Sequence, residues 1–216
     1  MASRYTLYIG DKNLSSWSLR PWLAMKVAGI AFDEVVIPLH RPETKARIRP
    51  LSPSGKVPAL KIEDGGRSFT VWDSLAICET LAERHPEAQL WPGNAADRAH
   101  ARSIVAEMHS GFADLRRTLS MEIAARHPTP ALDDQVQADI ARIVAIWSGA
   151  LAGRGDGGFL FGGFSIADAF FAPVVTRFET YGIPLPAVPQ AYTQRVLALP
   201  AMHEWLKGAR AEGERS

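Results

Sequence analysis

One cysteine, Cys78, is all the sequence holds among 216 residues, which excludes an intramolecular disulfide and any thiolate-rich metal site. No apolar run reaches the roughly 18 residues that a membrane span needs. The opening MASRYTLYIGDKN also lacks the basic-then-apolar order of a secretory leader. A cytoplasmic protein with no membrane partner is the resulting expectation. Charge of one sign is equally scarce: the net charge is +1, too small for the field that nucleic-acid binding requires. The six histidines show no HExxH or comparable ligand spacing, so no metal is expected. Repeats and low-complexity tracts are missing as well.

What is present suits a packed core: 47% hydrophobic residues, with six Trp and nine Phe. Residues 1–85 carry 12 basic against 9 acidic side chains, a mild bias toward an anionic ligand that chance scatter of surface charge explains equally well. This first part alternates strands and helices. Strands are predicted over Arg4–Ile9, Phe32–Pro38, Ala59–Ile62 and Ser68–Val71, the last two flanking the hairpin signal Asp64-Gly65-Gly66. Helices are predicted over Trp17–Ala28, Glu43–Arg49 and Asp73–Arg84. Pro86 to Asn94 has linker chemistry. From residue 95 only helical periods follow: Ala95–Ala125, Asp133–Leu151, Ser165–Tyr181, Gln190–Ala198 and Pro200–Ala211. The fold class is thus α/β plus all-α, with domains over 1–85 and 95–216.

Three segments carry chemistry. In Ser52-Pro53-Ser54-Gly55-Lys56-Val57-Pro58-Ala59-Leu60 a loop enters a strand just after a proline. A cis Val57-Pro58 bond would turn the Val57 amide and carbonyl outward to pair with an extended peptide; an ordinary proline turn is the plainer alternative. Asp73-Ser74 opens a helix whose free amides and positive dipole end suit a carboxylate. Ser74 could donate to that anion and Asp73 accept from a neighbouring ammonium, although Asp73 as a simple N-cap explains the pair too. In Asn13-Leu14-Ser15-Ser16-Trp17-Ser18-Leu19-Arg20, three serines converge on a helix start, where a hydroxyl and the helix dipole stabilise a thiolate. One of those serines is accounted for by capping.

Other signals carry less. Gly153 to Gly158 fits G-x-G-x-x-G but follows a helix instead of a strand, and reads as a loop. Ser165-Ile166-Ala167-Asp168 has capping-box spacing. Cys78 falls on the apolar side of its helix and reads as a buried, inert thiol.

Taken in this order ahead of an all-helical domain, SPSGKVPAL, DSLAICETLAE and SIADAFF resemble the glutathione transferase family over nearly the whole chain. The resemblance implies a thioredoxin-like first domain and glutathione as co-substrate. It pairs Val57 by its backbone with the cysteinyl part, counts Pro58 of the same segment in the glutathione site, and places Asp73 and Ser74 on the γ-glutamyl end and Lys56 with His40 on the glycyl end. SSWSLR is most similar to the serine-type, zeta-like members, which puts Ser15 at the catalytic serine with Ser16 adjacent, and Trp17 where the zeta pattern has cysteine. The implied activity is conjugation of the thiolate to small electrophiles, in a pocket near Trp17, Met108, His109 and Phe112. The alternatives are a non-catalytic binding or regulatory protein of the same fold and a zeta-like isomerase. The family also implies a homodimer.

Overall fold

The computed structural model describes residues 3–154 and 158–213. A four-stranded sheet comes first in the chain, built from β1 (Arg4–Ile9), β2 (Asp33–Val36), β3 (Ala59–Asp64) and β4 (Arg67–Trp72), in the order β2-β1-β3-β4. Alternation fixes how β1 lies: Tyr5, Leu7 and Ile9 are buried on one face, and a shift by one residue would expose all three. It runs parallel to β2 and antiparallel to β3. The β3–β4 connection is the two-residue turn Gly65-Gly66, both at positive φ (54° and 84°), as a type I′ hairpin demands. The helices of this unit are α1 (Ser16–Val27), α2 (Thr44–Ile48) and α3 (Ser74–Arg84).

The helical part comprises α4 (Ala95–Ser110), α5 (Ala113–Thr118), α6 (Asp134–Leu151), α7 (Ile166–Thr180), α8 (Ala187–Leu197) and α9 (Pro200–Gly213). The single helix predicted over Ala95–Ala125 is two. Gly111 turns to extended backbone, where a Cβ would come within 2.9 Å of the Glu107 carbonyl, and Phe112 sits in the left-handed region at φ 61°. α8 begins three residues before the predicted Gln190, because Pro189 is tolerated in a first turn, where its missing amide has no helical partner anyway.

Almost every residue of α7 is buried, so it forms the spine of the core. Its start is the predicted capping box, and more: Asp168 accepts from the amides of Ser165 and Leu160 and from the hydroxyls of Ser165 and Tyr192. Burial pushes its carboxyl up to about 6 despite those four donors.

The two parts are tied together at several points. Trp205 on α9 packs against Trp22 on α1 and donates its indole N–H to the Lys12 carbonyl at 2.7 Å. Glu212 accepts from the amides of Lys12 and Asn13. The predicted linker is docked: Leu90 and Trp91 are buried, and the Leu90 carbonyl accepts from the Ile166 amide. Of the Gly153 to Gly158 loop, Gly155, Asp156 and Gly157 lie outside the described residues. No helix among the described residues is long and apolar enough to cross a membrane.

Candidate functional site

The chain reverses between α2 and β3 through Ser52 to Pro58, with Gly55 at φ 66° and a cis Val57-Pro58 peptide. β3 starts at the next residue, so Val57 stands at the open end of the sheet beside Trp72, the last residue of β4. Between this turn and the starts of α1 and α3 lies a cavity of about 400 Å³. Lys56, Val57 and Pro58 form one wall, Asp73 and Ser74 another, and Trp17 a third, with Ser54 and Trp72 at the rim. A larger cavity of about 650 Å³, between Ser148 and Arg195 in the helical part, contains none of the candidate residues. Chemistry, not volume, therefore selects the smaller one.

The α3 wall is built at a cost. Asp73 has φ 74° and ψ 133°, a conformation that costs a non-glycine residue on the order of 1–3 kcal/mol. Its carboxylate offsets part of this by accepting from the amides of Leu75 (2.8 Å) and Ala76 (3.3 Å), which satisfies two donors at the helix start. The other oxygen faces His109 Nε2 of α4 at 3.2 Å. Desolvation lowers the His109 pKa, with Arg20 and Arg116 adding to the effect and Asp73 opposing it. Ser74 lines the cavity with a buried hydroxyl that has no partner. A buried hydroxyl left unpaired costs about 1–3 kcal/mol, so this one is suited to a ligand that supplies the missing bond.

The α1 wall differs. Ser15 is the N-cap: its Oγ accepts from the Ser18 amide and donates to Ser18 Oγ at 2.7 Å, and Ser18 Oγ also accepts from the Gly10 amide. Turned from Ser18 toward a ligand, the Ser15 hydroxyl would become that ligand's donor. Ser16 makes no side-chain hydrogen bond among the described residues. Both serines are buried and neither lines the cavity; Trp17, next in the chain and 37% exposed, does.

The other expected contributors separate. His109 reaches the site through Asp73 and by an edge contact to Trp17, ring centroids 5.3 Å apart. Met108 and Phe112 line neither of these two cavities: both are packed into the hydrophobic core, Phe112 as the residue that follows the break at Gly111 and precedes α5. His40 lines a separate cavity with Asp11, Leu14 and Arg41, which leaves Lys56 as the basic group on the first one. Cys78 is fully buried and its thiol pKa is pushed far up by desolvation. Sequence reading missed Arg20, a fully buried guanidinium stacked on Trp17 at 4.3 Å. Its one visible signal was a charge between Leu19 and Trp22, on an otherwise apolar helix segment. Among the described residues no group of three or more His, Cys, Asp and Glu is placed to hold a metal ion.

Residues 14–84 match the Glutathione S-transferase N-terminal domain and residues 97–208 the Glutathione S-transferase C-terminal domain. Similar proteins include the maleylacetoacetate isomerase of Pseudomonas aeruginosa, 28% identical over 202 residues and 91% of either chain. A probable maleylacetoacetate isomerase of Caenorhabditis elegans is 32% identical over 117 residues, a match spanning 54% of this chain and 52% of that one. Among solved structures, a glutathione transferase homolog from Burkholderia with bound glutathione superposes with a TM-score of 0.70 at 25% identity, over 96% of this chain and 98% of that one.

Proposed function

The chain belongs to the glutathione S-transferase family, and from that premise we propose that it binds glutathione in the Lys56–Ser74 cavity and directs the thiolate at an electrophilic carbon of a small unsaturated acid. Isomerisation, the activity named in its maleylacetoacetate isomerase relatives, is the leading outcome. The observation that carries the reading is the unpartnered Ser74 hydroxyl, buried in the wall of a cavity that also presents a helix start, an exposed cation at Lys56 and the Val57 backbone. Those features match the carboxylates and peptide backbone of a γ-glutamyl tripeptide.

Glutathione supplies the nucleophilic sulfur: a sulfur that adds to an activated double bond and departs after bond rotation gives the isomer, and one that stays gives a conjugate. The residues supply the rest. Ser74 and the positive dipole end of α3 hold the γ-glutamyl carboxylate, and Asp73 fixes that helix start through its cap. Lys56 pairs with the glycyl carboxylate, and Val57 bonds the cysteinyl backbone. Ser15 donates to the sulfur by turning its hydroxyl from Ser18 to the ligand, and the α1 dipole adds positive potential at the same point. Trp17 closes the acceptor side with an apolar face.

Incubation of the protein with maleylacetoacetate and a small fraction of an equivalent of glutathione tests this. Conversion to the trans isomer without net loss of thiol is the expected result. A second reading, stable conjugation of aryl or alkyl electrophiles, is favoured by the indole of Trp17, which stands where zeta-like members have a small thiol. It predicts thiol consumption equal to product formed and no isomer. Absence of glutathione binding at millimolar ligand contradicts both.

A further inference from the structure

We propose that Arg20 is a positioning residue that acts through Trp17, its buried and unpartnered positive charge holding the sulfur of bound glutathione in the thiolate form. The proposal rests on the glutathione reading above and adds a source for the thiol's reactivity beyond the serine hydroxyl. Arg20 is fully buried, and none of its three guanidinium nitrogens has a hydrogen-bond partner. It lies between two aromatic faces, Trp17 at 4.3 Å and Phe170 of α7 at 4.7 Å. Helical side chains lean toward the N-terminus and meet the residues three and four back. For Arg20 those are Trp17 and Ser16, so the charge lies over the first turn of α1, beneath the indole that lines the cavity.

Among the described residues no acceptor is paired directly with this charge. Arg116 of α5 stacks on the same indole at 4.9 Å, and Arg177 of α7 adds like charge nearby. Those two have acceptors of their own: Arg116 donates to the Met108 and Gly111 carbonyls, Arg177 to those of Leu119 and Pro173. On α3, Cys78 is kept protonated by burial, and the Asp73 carboxylate favours the charged guanidinium from a distance but makes no hydrogen bond to it, being held by two amides and His109. Burial above all, then the repulsion of Arg116 and Arg177, pushes the Arg20 guanidinium well below its usual value. Guanidinium groups nevertheless remain charged in proteins, and the two ring faces supply the partial negative potential that sustains it.

A merely structural arginine would be paired, because an unpaired buried charge destabilises a fold. Arg20 is thus placed for an anion that arrives later, and the ligand atom that becomes anionic at the α1 start is the sulfur.

The experiment titrates the full-length protein loaded with glutathione, following thiolate absorbance in the ultraviolet, for wild type, Arg20→Met and Arg20→Lys. S-methylglutathione, which has no ionisable thiol, is measured by calorimetry on the same proteins. Arg20→Met is expected to move the thiol midpoint up by about one pH unit, so that roughly tenfold less thiolate is present near neutrality. Its affinity for S-methylglutathione should be unchanged, and its melting temperature equal to or above that of wild type. Arg20→Lys should restore most of the shift. An unchanged thiol midpoint in Arg20→Met overturns the proposal, as does a midpoint that moves only together with lost S-methylglutathione binding and a lower melting temperature. Wild type that binds neither ligand instead refutes the functional reading on which the proposal rests, and the two failures are thereby told apart.

Discussion

Two helix starts face the same cavity, and they are built on opposite principles. At α3 one group is left open: Ser74 keeps an unpaired hydroxyl in the wall, next to an Asp73 that is strained and engaged in its cap. At α1 the polar groups are closed in, with Ser15 and Ser18 bonded to each other and to backbone, and a charge is stored behind Trp17. The difference separates holding from reacting. An unsatisfied hydroxyl gains most from a ligand that completes it, which is binding energy. An uncompensated charge acts on whatever ionises nearby, which is reactivity. A relative with the α3 start alone would bind glutathione and leave it inert.

The largest expected effect lies at the α1 start. Ser15→Ala should lower turnover by about 10²–10³ and leave glutathione affinity within about threefold, as measured by steady-state kinetics beside calorimetry. If Ser16→Ala shows the large loss and Ser15→Ala does not, the donor is the next residue along, and the Ser15–Ser18 pair is structural. At the α3 start the pattern should invert. Asp73→Ala should weaken glutathione by about tenfold and destabilise the fold by about 1 kcal/mol through the lost cap. Asp73→Gly should bind as poorly yet be more stable than the alanine variant, by an amount on the order of 1 kcal/mol, because glycine adopts φ 74° without strain. Equal melting temperatures for the two would show that the backbone there is unstrained.

A third helix start provides the control with the smallest effect on function. At α7 every donor around Asp168 is matched, so nothing is left for a ligand. Its carboxyl titrates near 6 in the folded protein against 3.8 as the ordinary value. The folded state therefore holds more protons between those limits, and the contribution of Asp168 to stability should fall as pH rises through that window. Asp168→Asn should remove this slope from denaturant titrations while glutathione affinity stays put. Altered affinity in that variant would mean that the start of α7 acts on the cavity through Phe170, which packs on Arg20 and His109.

How much of this was legible depended on whether the cause was local. The hairpin at Gly65-Gly66, the caps at Asp73 and Ser165 and the turn before Pro58 are each dictated by a few adjacent residues, and the structure has them where the residues imply. The break at Gly111 was hidden because the residues on both sides of it carry ordinary helical periods, and one glycine among them also fits a continuous helix. Met108 and Phe112 were assigned to a pocket by shape and position along the chain, but which way a side chain points is decided by packing against α6 and α7. His40 is near Lys56 in sequence and lines another cavity. Arg20 was legible only as an oddity, since its meaning depends on Phe170 and Arg116, both distant in the chain.

The central claim is that the open hydroxyl at the α3 start marks a glutathione site. Calorimetric titration of wild type and Ser74→Ala with glutathione tests it most directly. Binding by wild type, with an affinity about tenfold weaker in Ser74→Ala and a melting temperature of the free variant above that of wild type, is the predicted result. Equal affinity in the two proteins, or no heat of binding from wild type at millimolar glutathione, would contradict it.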